Sequence, residues 1–169
     1  MKLFLFAHTH TEVNCMIWAI ALLVIVFLIG AITKSPHVTP EEIRTERIKR
    51  RATRSNLEVM DPKEFEYFVA DFFRSLGYKV QVTSGSNDGG KDIILHKGNE
   101  MKFVEVKRYT KSSIGRPFIQ KLHSAIVDAD AVGGYFVTLS HFNKNARQYA
   151  ANKNIELIDG DKLIHMMNS

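Results

Sequence analysis

The stretch 91-KDIILHKGNEMKFVEVK-107 predicts two short strands joined by a turn. Residues 92–96 form a short apolar run, and residues 101–107 form a second run with β-branched and aromatic side chains. Between the two runs, Lys97–Glu100 has the composition of a turn. We therefore predict that the two strands pair as a hairpin.

A helix and a strand are predicted before this hairpin. Asp61 is placed to cap a helix that begins at Pro62, and Glu64 stands where a capping box has a carboxylate. Apolar residues recur at helical spacing within this segment, and Gly77 ends it. The segment 78–83 then alternates like a strand and is followed by a loop rich in Gly, Ser, Asn and Asp.

Helices and strands continue to alternate after the hairpin. The predicted elements are a helix over 116–131, a strand over 134–139, a helix from Ser140 or Asn143 to Asn152, a strand over 155–158 and a short terminal helix capped by Asp159. The complete order is α-β-β-β-α-β-α-β-α. This order is typical of an α/β domain in which helices cover both faces of a mixed sheet.

The predicted hairpin concentrates charged side chains at one place. Glu105 and Lys107 are two residues apart on a strand, so they point to the same face, and the hairpin brings Asp92 close to them. Two carboxylates beside an ammonium suit Mg²⁺ chemistry at a phosphate. The alternative is an ordinary cross-strand Glu–Lys pair with Asp92 at a loop edge. The apolar neighbours Phe103 and Val104 favour the functional interpretation, because charge in a buried strand is costly.

Five segments between Pro62 and Met167 carry a family resemblance. This part of the chain resembles the catalytic domain of Mrr-like type IV restriction endonucleases, which belong to the PD-(D/E)xK nuclease superfamily. The matching segments follow one another in the family's order: EFEYFVADFFRSLGY (64–78), SNDGGKDIIL (86–95), FVEVKRY (103–109), GGYFVTLSHFNKNA (133–146) and IELIDGDKLI (155–164).

The resemblance implies a restriction-endonuclease-like mixed sheet with an α-β-β-β-α-β core, and a Mg²⁺-dependent phosphodiesterase acting on DNA, with Mn²⁺ as a substitute metal. By matching motif positions, Asp92 and Glu105 are the metal ligands and Lys107 is the catalytic lysine. Glu66, in the first helix, corresponds to an acidic residue that often joins the site. Many relatives carry Gln where this chain has Glu105. Many nucleases of this fold act as dimers, so the resemblance also brings a homodimer into consideration.

Basic residues after the second strand of the hairpin are the candidates for contact with nucleic acid. Arg108, Lys111 and Arg116 surround Tyr109 and form the only basic and aromatic cluster of this region of the sequence. Gln120 and Lys121 begin the next helix; a phosphate contact is one interpretation, and a solvated surface is the one we favour. The formal net charge of +5 does not itself indicate DNA binding, because residues 34–54 carry +4 of it.

An apolar segment near the N-terminus predicts a membrane anchor. Residues 16–32, MIWAIALLVIVFLIGAI, contain no charged group and would form a helix of about 26 Å, near the thickness of a bilayer core. A cleaved signal peptide is the alternative interpretation. Basic residues follow the segment and few precede it, so we expect a single-pass inner-membrane protein with its C-terminal domain in the cytoplasm.

The predicted domains are therefore a short N-terminal segment (1–15), a transmembrane helix (16–33), a basic juxtamembrane linker (34–59) and a nuclease domain (60–169). The single cysteine, Cys15, excludes an intrachain disulfide and a cysteine-rich metal site. The separate DNA-reading domain of full-length restriction enzymes is not recognised in this sequence. We expect a membrane-anchored DNA endonuclease; the alternative is a membrane-anchored module that binds and tethers DNA without cutting it.

Overall fold

The computed structural model describes residues 17–27, 39–83 and 91–169, and the chain divides into two units, Met1–Thr39 and Pro40–Ser169. In the first unit, residues 17–27 are helical. Among the residues that are described, no helix is both long enough and apolar enough to cross a membrane. The predicted N-terminal segment 1–15 and both ends of the predicted transmembrane helix 16–33 lie outside the described residues.

The second unit contains helices and strands in the predicted order, preceded by two further helices. Its elements are α1 (Pro40–Arg51), α2 (Arg54–Val59), α3 (Pro62–Ser75), β1 (Lys79–Val82), β2 (Ile93–Lys97), β3 (Glu100–Lys107), α4 (Arg116–Asp128), β4 (Gly133–Thr138), α5 (Lys144–Ala150), β5 (Ile155–Ile158) and α6 (Gly160–Asn168). From α3 onward this is the α-β-β-β-α-β-α-β-α order that the sequence predicts. The prediction of a mixed α/β domain is confirmed.

The five strands form one sheet in the order β1-β2-β3-β4-β5. Strands β1, β2 and β3 pair antiparallel, whereas β3, β4 and β5 pair parallel. The change from antiparallel to parallel pairing occurs at β3, because a short turn joins β2 to β3 while the helix α4 connects β3 to β4. Short turns allow antiparallel pairing, and parallel pairing requires such a crossover.

Local sequence signals fix the start of α3. The side chain of Asp61 accepts a hydrogen bond of 2.8 Å from the backbone N–H of Glu64, and Pro62 opens the helix. The Glu64 carboxylate forms an ion pair with Arg51. Among the described residues, it does not accept the second hydrogen bond of the predicted capping box, from the Asp61 N–H. One apolar stripe of α3 is buried, and this stripe consists of Phe65, Phe68, Val69, Ala70, Phe72 and Phe73.

The sheet separates two hydrophobic clusters. We call the face that carries Val104 and Val106 the closed face, because α1, α2, α3 and α6 all contribute buried residues to its cluster. We call the opposite face the site face; Phe103 and Phe136 point to it, and α4 and α5 pack there. Successive residues of β3 therefore alternate between the two clusters, as residues of a strand do.

Residues 40–59 differ from the linker that the sequence suggested. They form α1 and α2, and Ile48, Ala52 and Leu57 are buried in the cluster of the closed face. The backbone continues into α3 through Met60, which is also buried. These apolar residues are few and lie among many charged ones. The stripe they form is too narrow for the sequence alone to predict that α1 and α2 pack against the sheet.

Candidate active site

The hairpin β2–β3 positions the three motif residues. Ile93 pairs with Val104 and Lys97 pairs with Glu100, so the register continues to place Asp92 opposite Glu105. Gly98 in the turn has φ of +59°, a left-handed conformation that glycine adopts without strain. The hairpin predicted from the sequence is present. It brings together three side chains that are up to fifteen residues apart in the chain.

Hydrogen bonds fix the geometry of this cluster. The Oδ2 atom of Asp92 accepts a hydrogen bond of 2.7 Å from the backbone N–H of Val106. The Nζ atom of Lys107 lies 2.7 Å from Oε1 of Glu105 and 3.9 Å from Oδ2 of Asp92. One ammonium is therefore shared between two carboxylates, with Glu105 as its near partner.

Burial disfavours the negative charge of Glu105 in this cluster. Glu105 is only 3% exposed, and this burial raises the pKa of its carboxyl above the ordinary value. The negative charge of Asp92 raises that pKa further, and the hydrogen bond and positive charge of Lys107, with the charge of Lys121, offset only part of the increase. The protein thus holds a carboxylate where it is not well stabilised, which is typical of functional sites.

Lys107 remains protonated in this environment. Burial lowers the pKa of its ammonium, but the hydrogen bond to Glu105 and the negative charges of Glu105 and Asp92 outweigh that effect. The net result is a pKa above the ordinary value of a lysine. At neutral pH Lys107 is therefore a fixed positive charge beside the two carboxylates.

In the part of the chain that is described, no hydrogen bond or ion pair joins Glu66 to Asp92, Glu105 or Lys107. The Glu66 side chain is 14% exposed and its Oε1 accepts a hydrogen bond of 2.9 Å from Nζ of Lys63, one turn earlier in α3. That hydrogen bond is the main cause of a raised Lys63 pKa, and the charge of Asp92 adds to it. Lys63 is thus near enough to Asp92 to respond to its charge. The sequence did not single out Lys63.

The predicted nucleic-acid contacts lie in three different settings. Arg108 donates a hydrogen bond of 2.8 Å to the backbone carbonyl of Glu58, so one of its N–H groups is committed to the end of α2. The Arg116 guanidinium carbon lies 4.9 Å from the centre of the Tyr149 ring, which places it against α5. Lys111 is exposed. Two of the three residues are therefore engaged by different helices, α2 and α5.

Two further lysines, Lys91 and Lys121, have contacts or charges that bear on the site. The Nζ atom of Lys91 lies 5.0 Å from the centre of the Phe103 ring, which is on the site face. Lys121 is exposed, and its charge acts on Glu105. The sequence favours a solvated surface for Lys121. The helical periodicity of α4 could have indicated the alternative, a phosphate contact, because Lys121 lies beside the buried positions Ile119 and Leu122.

The chemistry of the cluster fits a divalent cation. Asp92 and Glu105 present carboxylate oxygens from adjacent strands, and with Lys107 the three groups sum to a charge of −1. Mg²⁺ commonly takes one or two carboxylates and completes its coordination with water and substrate phosphate. Over residues 17–27, 39–83 and 91–169, no group of three or more His, Cys, Asp or Glu side chains is placed to hold a metal ion.

Comparison with known proteins places this domain among nucleases. Residues 57–167 match the model of the Mrr catalytic family, which is described as restriction endonuclease. The type IV methyl-directed restriction enzyme EcoKMrr of Escherichia coli (strain K12) is 36% identical over 121 residues, covering 66% of this chain and 40% of that protein. The uncharacterized protein y4cE of Sinorhizobium fredii (strain NBRC 101917 / NGR234) is 36% identical over 95 residues, covering 53% and 24%.

The chain therefore spans two fifths or less of the length of these two relatives. Among solved structures, the DNA modification-dependent restriction endonuclease AspBHI is similar, with a TM-score of 0.54 and 21% sequence identity. The similarity covers 77% of this chain and 35% of that one. At this level of identity it shows a common fold, which is the restriction-endonuclease-like fold expected from the sequence.

Proposed function

The chain belongs to the Mrr catalytic-domain family of restriction endonucleases, and from this premise we propose that it is a metal-dependent endonuclease that hydrolyses phosphodiester bonds in DNA. The observation that carries the proposal is the convergence of Asp92, Glu105 and Lys107 at one end of the β2–β3 hairpin. An ordinary surface pair would not require a carboxylate that is 97% buried, since burial of charge costs stability.

Asp92 and Glu105 would hold the metal, Mg²⁺ or Mn²⁺ in its place. A metal bound there would polarise the scissile phosphate and favour ionisation of the attacking water. The backbone N–H of Val106 holds Oδ2 of Asp92, so that carboxylate is already oriented by the sheet. Glu66 would act from the margin, through Lys63 or by holding a water.

Lys107 supplies positive charge where negative charge accumulates during the reaction. The oxygen of water forms a bond to phosphorus, and the bond from phosphorus to one bridging oxygen breaks. One proton of the water ends on the leaving oxygen, so one strand end carries a phosphate and the other a hydroxyl. The ammonium of Lys107 is fixed by Glu105 at 2.7 Å, and a fixed charge stabilises a developing anion without reorganisation.

The test is cleavage of supercoiled plasmid, methylated and unmethylated, by the purified full chain in Mg²⁺, Mn²⁺ or EDTA. We expect nicking or linearisation in the metal buffers, and its loss in EDTA and in Lys107→Ala. Lys102→Ala is the matched control, because Lys102 lies on the same strand but its ammonium lies over the Tyr135 ring. Binding without cleavage by wild type and both variants would contradict the proposal and favour the tethering alternative.

We also propose that residues 16–33 anchor the protein in the inner membrane, with the nuclease domain in the cytoplasm. The support is the uncharged run 16–32 and the basic residues that follow it, from Arg44 to Arg54. Fractionation of cells that express the full chain, compared with a variant lacking residues 1–39, tests this. Recovery of the full chain in the soluble fraction would contradict it.

A further inference from the structure

The flank of α4 that faces the motif residues can be identified from its packing. Ile119 and Leu122 are fully buried against the sheet. On one side of this buried stripe, Arg116 and His123 contact Tyr149 of α5, at 4.9 Å from the ring centre and 3.0 Å from the hydroxyl. That flank is therefore covered by α5.

Lys121 lies on the opposite flank of α4. Phe118, one turn before it, packs edge to face on Tyr109, with ring centroids 6.2 Å apart. Residues three apart on a helix are neighbours, so Phe118 and Lys121 share this flank. Tyr109 lies two residues after the end of β3, and the flank therefore runs beside the end of the strand that carries Glu105 and Lys107.

The ammonium of Lys121 has no partner in the part of the chain that the structure describes. Lys121 is exposed and forms neither a salt bridge nor a hydrogen bond there, whereas Lys107 is held by Glu105 at 2.7 Å. The influence of Lys121 on the Glu105 carboxyl agrees with its place on this flank. It is a positive charge beside a cluster whose own charge is −1.

We propose that Lys121 is a substrate-binding residue that contacts a backbone phosphate of the DNA strand lying across Asp92 and Glu105. The inference rests on the proposed nuclease function and adds a residue that the D…E-x-K motif does not contain. Two carboxylates repel an approaching phosphate, so a lysine at their side reduces that repulsion during binding. A lysine acts as a point charge, so this contact adds affinity without selecting a base.

Duplex binding by the full chain tests the proposal without requiring turnover. Titrations of a fluorescent duplex are made from 50 to 200 mM salt, with Ca²⁺ as the only divalent ion and again in EDTA. Loss of one phosphate contact in Lys121→Gln should reduce the slope of log K against log salt by about one. Affinity at the lowest salt should fall several-fold, and the melting temperature should stay unchanged because Lys121 is exposed.

Lys144→Gln is the matched control, since Lys144 is also an exposed lysine near the start of a helix. Lys144→Gln and Lys121→Arg should both keep the wild-type slope. In cleavage assays Lys121→Gln should raise KM more than it lowers kcat. A wild-type slope in Lys121→Gln, with wild type still cutting DNA, would overturn this inference alone. A wild type that neither binds nor cuts DNA would overturn the proposed function as well.

Discussion

The two faces of the sheet differ in what their helices leave uncovered. On the closed face, four helices bury an almost wholly apolar cluster that includes Val104 and Val106. On the site face, α4 and α5 cover β3, β4 and β5, while Asp92, Glu105 and Lys107 gather beside the flank of α4. Strand β3 therefore contributes to both the hydrophobic core and the candidate site, because its alternate residues point to opposite faces of the sheet.

Because the two faces differ in this way, we expect substitutions on the site face to reduce activity and substitutions on the closed face to reduce stability. Asp92→Asn should have the largest effect, because it removes the charge of a proposed metal ligand. We expect cleavage to fall on the order of 10²–10⁴-fold, as for removal of a group that acts in the transition state. Plasmid cleavage rates measure this, and an unchanged rate would contradict the role of Asp92.

Phe73→Ala should have the opposite profile. Phe73 is 1% exposed on the closed face, and its ring lies 4.9 Å from that of Tyr135. Truncation of a buried Phe costs about 3–5 kcal/mol of unfolding free energy. Denaturant unfolding measures the loss, with the exposed Val59→Ala as control. Cleavage per folded molecule should stay near the wild-type value; a large loss there would break the separation of the two faces.

Leu57→Ala tests whether the packing of α2 on the closed face contributes to the free energy of unfolding. Leu57 is completely buried, so its truncation should lower the unfolding free energy by about 2–5 kcal/mol. The half-exposed Ile43→Ala should have a much smaller effect. If the two variants were equally stable, residues 40–59 would behave as the linker suggested by the sequence.

Glu105→Gln should reduce activity less than Asp92→Asn does. It should also cause little or no loss of stability. Burial disfavours the charged carboxylate, and a neutral amide avoids that penalty while keeping one oxygen for the proposed metal. The resemblance agrees, since many relatives have Gln at this position. We expect a melting temperature equal to or above wild type and a smaller rate loss than in Asp92→Asn. A strongly destabilised variant would show that the Glu105–Lys107 pair contributes to stability.

The local parts of the fold and site were predictable from sequence. The cap at Asp61, the stripe of α3 and the turn at Gly98 depend on neighbours within a few residues. The proximity of Asp92 to Glu105 follows from a two-residue turn, which fixes the hairpin register. The position of Glu66 relative to the motif residues was less accessible, because it depends on how α3 packs against the sheet.

The sequence by itself determined the order of the elements, the family and the three motif residues, because these depend on periodicity, turns and short spacings. Only the tertiary structure decided that α1 and α2 complete the closed face, that Arg108 binds the carbonyl of Glu58, and that the charge of Lys121 acts on Glu105. Two of these relations join residues 50 and 16 positions apart, and the remaining one brings the N-terminal helices of the domain into one cluster with α6 at its end. They depend on how helices rotate as they pack on the sheet, and that rotation is fixed by the whole core and not by any local pattern.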